Sequence, residues 1–550
     1  MEPNESNKAR LAHTKPSLHL LMIAIIFGLS LLGYIAVIWS GEIRGYQPSK
    51  IVAARDIALL VPVLAVFFWM IRARRFRGEL MVLTAAVFLF AFGQVIQFRL
   101  FSDPEYGARG TARMKAREAK AQTVRLLNIE TGYDDEKKAF MFGAADAVPK
   151  SPGFQSPSDD GYSLVDILTS VNTYIPIAAL IAMAGSFLLF KSEKSLLWLQ
   201  RHALILGLAT LIPFGLVVLI SKEGKFLGQT TPWEGVKIFF LLSFTGMLAD
   251  TYRQLRRTRW GLPPARYFFS FALIAAMPIL PFFALSDFGQ MLVFFGVYVM
   301  LYVIAVRRKA QLVYALALVA MLFAVFFGAS KISTGFGVPG RVYFRFYQWI
   351  HTWEAPPADR WWWKGDFDRY LKAKNLVLDN NNPQEAKRQN NEAWADKVLQ
   401  QSQGLFGINE GGATGEGLGL GFPETIPISD SDFIYAALAE ETGLAGGLAI
   451  LIALCAFVVA GTAISISAPD MFTKLLAAGV TAFIGFQAVV NIGGVLRLLP
   501  MTGITIPFVS HGGWSLITSF AMLGVLLAFA HRNAAVRRVE VKQPQFIPVR

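Results

Sequence analysis

One cysteine and six histidines in 550 residues exclude several common chemistries at the outset. Cys455 stands alone inside an apolar run, so the chain has neither a disulfide framework nor a thiolate zinc site. No HExxH or comparable metal-ligand spacing occurs. Charged residues make up only 16%, too few for a soluble chain of this length divided into several domains. The glycine-rich run from Gly415 to Gly421 lacks the GK[ST] ending and the strand-to-helix frame of a nucleotide-binding loop. The first apolar run, Leu18 to Trp39, lacks a small-residue cleavage site and reads as a retained helix rather than a signal peptide.

What is present is hydrocarbon. Hydrophobic residues are 54%, Phe alone numbers 45, and the mean hydropathy is +0.45. A bilayer crossing takes roughly 20 apolar residues. By that measure the chain is an all-α polytopic membrane protein with about twelve spans. They are 18–39, 57–71, 80–98, 171–190, 203–220, 233–249, 268–285, 288–306, 312–328, 433–460, 475–495 and 515–530. The net charge of +14 does not point to nucleic acid, because the basic residues cluster in short connections between the apolar runs. Arg72, Arg74, Arg75 and Arg77 form one such cluster; Lys191, Lys194 and Arg201 form another. Arg253, Arg256, Arg257, Arg259 and Arg266 follow, then Arg307, Arg308 and Lys309, and finally Arg532, Arg537 and Arg538. With twelve spans all of these fall on one side, which the positive-inside rule makes cytoplasmic, together with both termini.

The long polar segments, 99–166 and 330–431, then lie outside. Ala112–Leu127 favours a short helix on propensity, and Asp379–Gln389 reads as a flexible surface turn. Trp349, Trp353, Trp361, Trp362 and Trp363 read as an interfacial aromatic belt, with a sugar-stacking or partner surface as the alternative.

Four stretches carry candidate chemistry. Asp432 precedes a long apolar helix beginning at Phe433. It reads either as a general base whose pKa is raised by desolvation or as the helix N-cap. Asp430 is a second candidate for either role, while Glu440 and Glu441 lie about two turns into the helix, where charges face a cavity or a partner. In Thr231–Lys237 (TPWEGVK), Glu234 and Lys237 are three residues apart and share a helix face, with Pro232 suited to the first turn. Asp287, in a short connection, is a cap or a cavity-facing group. Asn491–Ser515 is broken by prolines and glycines, as helices lining a cavity are. Arg497 in that break would bind a phosphate or carboxylate, or pair with a neighbouring acid.

Together these stretches resemble the SEDS family (shape, elongation, division and sporulation), the family of RodA, FtsW and SpoVE. SDFIYAALAEETGLAGG is similar to its "DFIFA…EE.GL.G" pattern, and NIGGVLRLLPMTGITIPFVSHGG to its "NIG…LLP.TG..LPF.SYGG". TPWEGVK stands where the family has Q-P-S-E-x-x-K, and SDFGQ where it has P-D-L-G-T. Thr231, Trp233, His511 and Trp514 depart from those patterns. ISKEGKFLG occupies the stretch where the family has an Arg-Trp pair.

The resemblance spans roughly 80–530 and leans towards the RodA branch. It implies a ten-helix core at 79–530 after a two-helix addition at 1–78. An extracytoplasmic insertion would occupy 99–166, a large catalytic loop 330–431, and a cytoplasmic tail 531–550. It further implies a peptidoglycan glycosyltransferase that polymerises lipid II at the outer face of the bacterial plasma membrane, in elongation or division. Asp432 would be the general base. Arg345 and Arg497 would face the pyrophosphate of the undecaprenyl-linked glycan, and Glu234, Lys237 and Asp287 would line or brace the cavity. Gln403 and Ser510 are carried over as substrate-binding residues. A class B penicillin-binding protein is the implied partner, and a divalent cation, magnesium or manganese, the one cofactor left open. The alternatives are a flippase for lipid-linked precursors and a non-catalytic scaffold for a transpeptidase.

Overall fold

Apolar runs bounded by charge become helices because every backbone amide in hydrocarbon must be satisfied within its own segment. In the computed structural model the described residues are 16–43, 48–72, 76, 78–103, 106, 170–209, 233–257, 287–306, 338–360, 362–374, 376 and 382–542. Among them are fourteen α-helices and no strand. In chain order these are α1 (Pro16–Ile43), α2 (Lys50–Arg72), α3 (Met81–Ser102), α4 (Val171–Lys191), α5 (Glu193–Arg201), α6 (Ala203–Ala209) and α7 (Trp233–Arg257). There follow α8 (Phe288–Val306), α9 (Val338–Ile350), α10 (Lys364–Ala373), α11 (Pro383–Gly411), α12 (Ile434–Ile466), α13 (Met471–Val495) and α14 (Gly513–Lys542).

Seven of the described helices, α1, α3, α4, α8, α12, α13 and α14, are long and apolar enough to cross a membrane. The expected second span is longer than its apolar core, since α2 begins at Lys50 and carries Arg55, Asp56 and Pro62. The expected sixth, α7, runs on to Arg257. The fifth is described only as α6, and the seventh and ninth lie outside the described residues, as does Ala112–Leu127.

Position in the bundle follows side-chain type. The crossing stretches of α3, α13 and α14 are mostly buried, whereas α1, α4 and the middle of α12 present Leu32, Ile181, Ile452 and Val459 outward. Helix α12 packs against α3, α11 and α13, and α13 also packs against α7 and α8.

The polar segment before α12 folds differently from what its sequence suggests. Asp379–Gln389 is not a flexible turn from Asn382 onward. The Asn382 side chain accepts the Glu385 amide at 3.2 Å, Pro383 takes the first helical position, and α11 follows at once. Trp363 does not belong to an interfacial belt, and Trp361 lies outside the described residues. Trp363 is fully buried against Trp394 at 5.3 Å between ring centroids, edge to face, and donates from Nε1 to Asn390 Oδ1 at 2.8 Å. Trp394 Nε1 donates to the Thr352 carbonyl at 2.9 Å, and Phe367, Leu371 and Val398 complete a separate small core. Trp353 is exposed and stacks on Phe406. The aromatics therefore build a folded polar layer, because an indole can be buried when its N–H finds an acceptor.

Trp363→Ala would empty the centre of that small core, at a cost of about 3–5 kcal/mol. Limited proteolysis should then cut between 338 and 411 at protease concentrations that spare the wild type, while the helix content of the apolar bundle is unchanged by circular dichroism.

Candidate active site

The site begins with a close backbone approach. After α11 the chain turns back along the start of α12: Glu416 N donates to Glu440 O at 3.0 Å, Gly417 N to Glu441 O at 2.9 Å, and Leu444 N to Gly412 O at 2.9 Å. Only glycine fits there. Gly415 has φ +83° and a Cβ on it would lie 2.2 Å from Glu441 O; Gly443 has φ +65° and interrupts α12 where the two strands of chain touch. The glycine run is thus a packing device for the two glutamates of α12.

Those glutamates are bound from the other side by Arg99, a residue the sequence reading had placed at the edge of a loop. Arg99 lies in the last turn of α3 and is 0% exposed. Its Nε donates to Glu441 Oε1 at 2.7 Å, and Nη2 donates to Glu424 Oε2 at 3.1 Å and to Gly421 O at 3.0 Å. Nη1 reaches Asp103 at 3.4 Å. Glu441 Oε2 in turn accepts the Gly419 amide at 3.1 Å. A buried guanidinium is tolerable only when its donors are met, and this one is met from three sides.

With the loop fixed, Asp432 falls at its end. It is not the helix cap: α12 is preceded by Phe433, and no side chain caps it. The Asp432 carbonyl accepts from Asn491 Nδ2 at 2.8 Å, which also donates to Ile504 O, so α13 fastens Asp432 to the broken segment after it. Gln400 Nε2 meets the carboxylate at 3.3 and 3.4 Å and bonds Pro427 O at 3.1 Å. Asp432 is 8% exposed. Burial pushes its carboxyl up to about 7; its own backbone amide opposes this, Asp430 reinforces it, and Gln400 and Arg345 act against it. Asp430 accepts from Tyr106 Oη at 2.5 Å, and its carbonyl accepts the His511 amide at 2.8 Å. Burial lowers the pKa of the His511 imidazole at this spot.

The other expected residues divide into two groups. Near Asp432, Ser510 Oγ donates to Ser431 O at 2.7 Å and accepts the Ile506 amide at 2.8 Å, so it shapes the backbone on both sides. Arg345, on α9, donates to Thr502 O at 3.3 Å and acts electrostatically on both Asp432 and Asp287. Asp287 accepts the Gln290 amide at 3.2 Å, the capping alternative, and burial raises its pKa. Gln403 lies one helical turn beyond Gln400 on α11, so the glutamine beside the carboxylate is Gln400. Its signal in the sequence was the same helix face three residues earlier.

The second group is fully engaged within the fold. Lys237 Nζ donates to Glu234 Oε2 at 2.6 Å and to Gln487 Oε1 at 2.8 Å, and Glu234 Oε1 accepts from Gln290 at 3.0 Å. Gln487 Nε2 passes the chain on to Thr505 O at 3.0 Å. Arg497 donates to Trp349 O at 2.9 Å, and Trp349 Nε1 returns a bond to Arg497 O at 2.9 Å. The described residues contain no group of three His, Cys, Asp or Glu side chains placed to hold a metal ion.

Comparison with known proteins follows the same segment. Residues 378–535 match the "Cell cycle protein" family of FtsW, RodA and SpoVE. That match covers 158 of the 550 residues. A stretch of 129 residues is 43% identical to the peptidoglycan glycosyltransferase RodA of Mycobacterium tuberculosis H37Rv, covering 24% of this chain and 28% of that protein. Stage V sporulation protein E of Bacillus subtilis is 39% identical over 139 residues, 24% of this chain and 38% of its own length. The chain thus spans between a quarter and two fifths of the length of these relatives. Among solved structures, Thermus thermophilus RodA superposes with a TM-score of 0.36 at 19% identity, covering 65% of this chain and 88% of that one. A chain from a structure described as a peptidoglycan synthase complex coordinating polymerization and crosslinking gives a TM-score of 0.42 at 22% identity, covering 67% and 93%. The family segment takes in Asp432, Gln403, Arg497 and Ser510, and leaves Glu234, Lys237, Asp287 and Arg345 before it.

Replacing Arg99 by Met should be among the most damaging single changes, because it strands Glu441 and Glu424 in the interior. A loss of about 3–5 kcal/mol is expected, read as a lowered unfolding midpoint in detergent, with Arg99→Lys intermediate because it keeps the charge and loses the fork.

Proposed function

We propose that this protein is a peptidoglycan glycosyltransferase of the plasma membrane, joining lipid II units into glycan strands with Asp432 as the general base. The observation that carries the reading is the state of that carboxyl: buried at a helix start, bonded through one glutamine amide, and raised to about 7, where a carboxylate can both accept and release a proton at working pH. One relative, RodA of Mycobacterium tuberculosis, bears the name peptidoglycan glycosyltransferase.

In the proposed reaction the 4-hydroxyl of one lipid-linked disaccharide attacks the anomeric carbon of another. The new C–O bond forms as the bond to undecaprenyl pyrophosphate breaks, with inversion at that carbon. The hydroxyl proton passes to an Asp432 oxygen and the electron pair leaves with the pyrophosphate. Gln400 holds the carboxylate in place, and Arg345 supplies positive charge on the same side of the loop. Glu234, Lys237 and Asp287 brace the walls, and Arg497 fastens α9 to the broken segment. The basic connections orient the site outward and both termini to the cytoplasm, and a class B penicillin-binding protein is the proposed partner that crosslinks the product.

Two outcomes are expected. Purified Asp432→Asn protein should make no polymer from lipid II, a loss of about 10²–10⁴-fold at least, whereas Gln400→Ala should retain partial activity. Full polymerisation by Asp432→Asn would refute the assignment, and transport of lipid II without polymer in proteoliposomes would favour the flippase.

The pH dependence has opposite signs for rate and stability. The wild-type rate should fall roughly tenfold per unit below about pH 7, as the base fills with its proton. The native state binds that proton more tightly than the unfolded chain, so its contribution to stability is complete below the unfolded pKa near 3.8 and lost as pH rises through about 7. Asp432→Asn should therefore unfold later than wild type at pH 8, with the difference narrowing towards pH 5.

A further inference from the structure

A polar pocket opens along the seam between α11 and α12, beyond Gln400 on the first helix. It is a cavity of about 140 Å³ lined by Gln403, Phe406, Gly407, Glu410, Thr425 and Glu440. Glu440 is 2% exposed, and its two oxygens are treated differently. Oε1 accepts the Phe422 amide at 2.5 Å, while Oε2 has no hydrogen-bond partner. Oε2 is turned towards Gly407, where a Cβ would come within 2.6 Å of it. As a carboxylate this oxygen lacks a donor, a penalty that a ligand carrying one would remove.

The charges that act on Glu440, in the pocket wall and behind it, fix the sign of that ligand. Glu410 comes from α11, Glu424 from the turn at Pro423–Thr425, and Glu441 from α12 itself; all three act on Glu440 with the same negative sign. The cation on the adjoining α3 is Arg99, which is bonded to Glu441, Glu424 and Asp103. The acids therefore outnumber the cation that faces them. A metal ion is not what the lining favours, since no group of three acidic or histidine side chains is placed for it among the described residues. A guanidinium is planar and needs a matching fork. An ammonium is compact, carries three rotatable donors, and finds acceptors in Glu440, Glu410 and the Gln403 amide carbonyl. Phe406 supplies an apolar wall for the methylene stem.

The geometry points to a binding site for an aliphatic primary ammonium, with Glu440 Oε2 as its principal acceptor. It deepens the proposed function and rests on it for its meaning: Gln400 touches the Asp432 carboxylate, and Gln403 lines the pocket one turn later on the same helix. An amine-bearing arm of the lipid-linked substrate would dock here while its sugar reaches Asp432. The site would thus select substrates by an amine remote from the bond being made.

Binding can be read without turnover. The full-length protein in detergent would be titrated with n-butylammonium chloride, n-butanol, tetramethylammonium chloride and magnesium chloride, following saturation-transfer NMR for the organic probes and thermal shift for all four. Saturable binding is expected for n-butylammonium alone, weakened at least tenfold in Glu440→Gln and in Gln403→Leu and unchanged in Asp432→Asn. Glu440→Gln keeps an acceptor for the Phe422 amide, and Gln403→Leu leaves that bond untouched, so loss in a folded variant reports on the pocket. No saturable n-butylammonium binding to wild type, equal binding by both pocket variants, or equal response to tetramethylammonium or magnesium would each overturn the proposal. A chain that binds the amine and makes no polymer would instead defeat the glycosyltransferase reading and leave the pocket standing.

Discussion

A single guanidinium with no access to water governs the arrangement of everything around it. Arg99 is held by Glu441, Glu424, Asp103 and the Gly421 carbonyl, four groups from three separate stretches of chain. Removing any of them would leave charge unmet in a medium that penalises it heavily. This strictness is what converts a glycine-rich segment, which has many conformations open to it, into one defined path. The path ends at Asp432, so the place of the candidate base is set by an ion cluster it does not itself touch.

Backbone strain gathers along the same path. Three non-glycine residues among those described have positive φ: Ile428 at 57°, Arg497 at 58° and Phe508 at 68°. Ile428 lies four residues before Asp432, and Arg497 and Phe508 flank the broken segment whose Ile504 carbonyl shares the Asn491 amide with Asp432. Such conformations cost about 1–3 kcal/mol each and persist where surrounding contacts over-determine them. Here the contacts are the Ser510 bonds to Ser431 and Ile506, the Gln487 bonds to Thr505, and the grip of Arg497 on α9. Rigid helices thus carry an irregular segment that they hold in shape from several directions.

Much of this was legible in the residues. Hydropathy located the seven described helices that are long and apolar enough to cross a membrane, with α8 starting and ending at the expected residues. Spacing of three foretold the Glu234–Lys237 pair, and local pattern the cap at Asp287. Two glutamates inside an apolar helix announced that something must face them. What stayed hidden depended on contacts far apart in sequence. Nothing local in Arg99 distinguishes it from the other basic residues of the chain, and its two glutamate partners lie more than three hundred positions away. Asn491 and Gln400 act through amide groups that carry no charge to attract notice. The tryptophans misled because an indole looks the same whether it faces an interface or finds an acceptor such as Asn390 inside a small core.

The mutual bonds between Trp349 and Arg497 have a mechanical corollary. Each residue is donor and acceptor to the other, so the end of α9 and the turn after α13 are joined by a clasp whose halves are of no use separately. Load applied to the tryptophan-rich layer is transmitted through that clasp to Asn491, one helical turn and a half before it, and so to the carbonyl of Asp432. Anything seated on that layer would hold a lever on the carboxylate without ever reaching it.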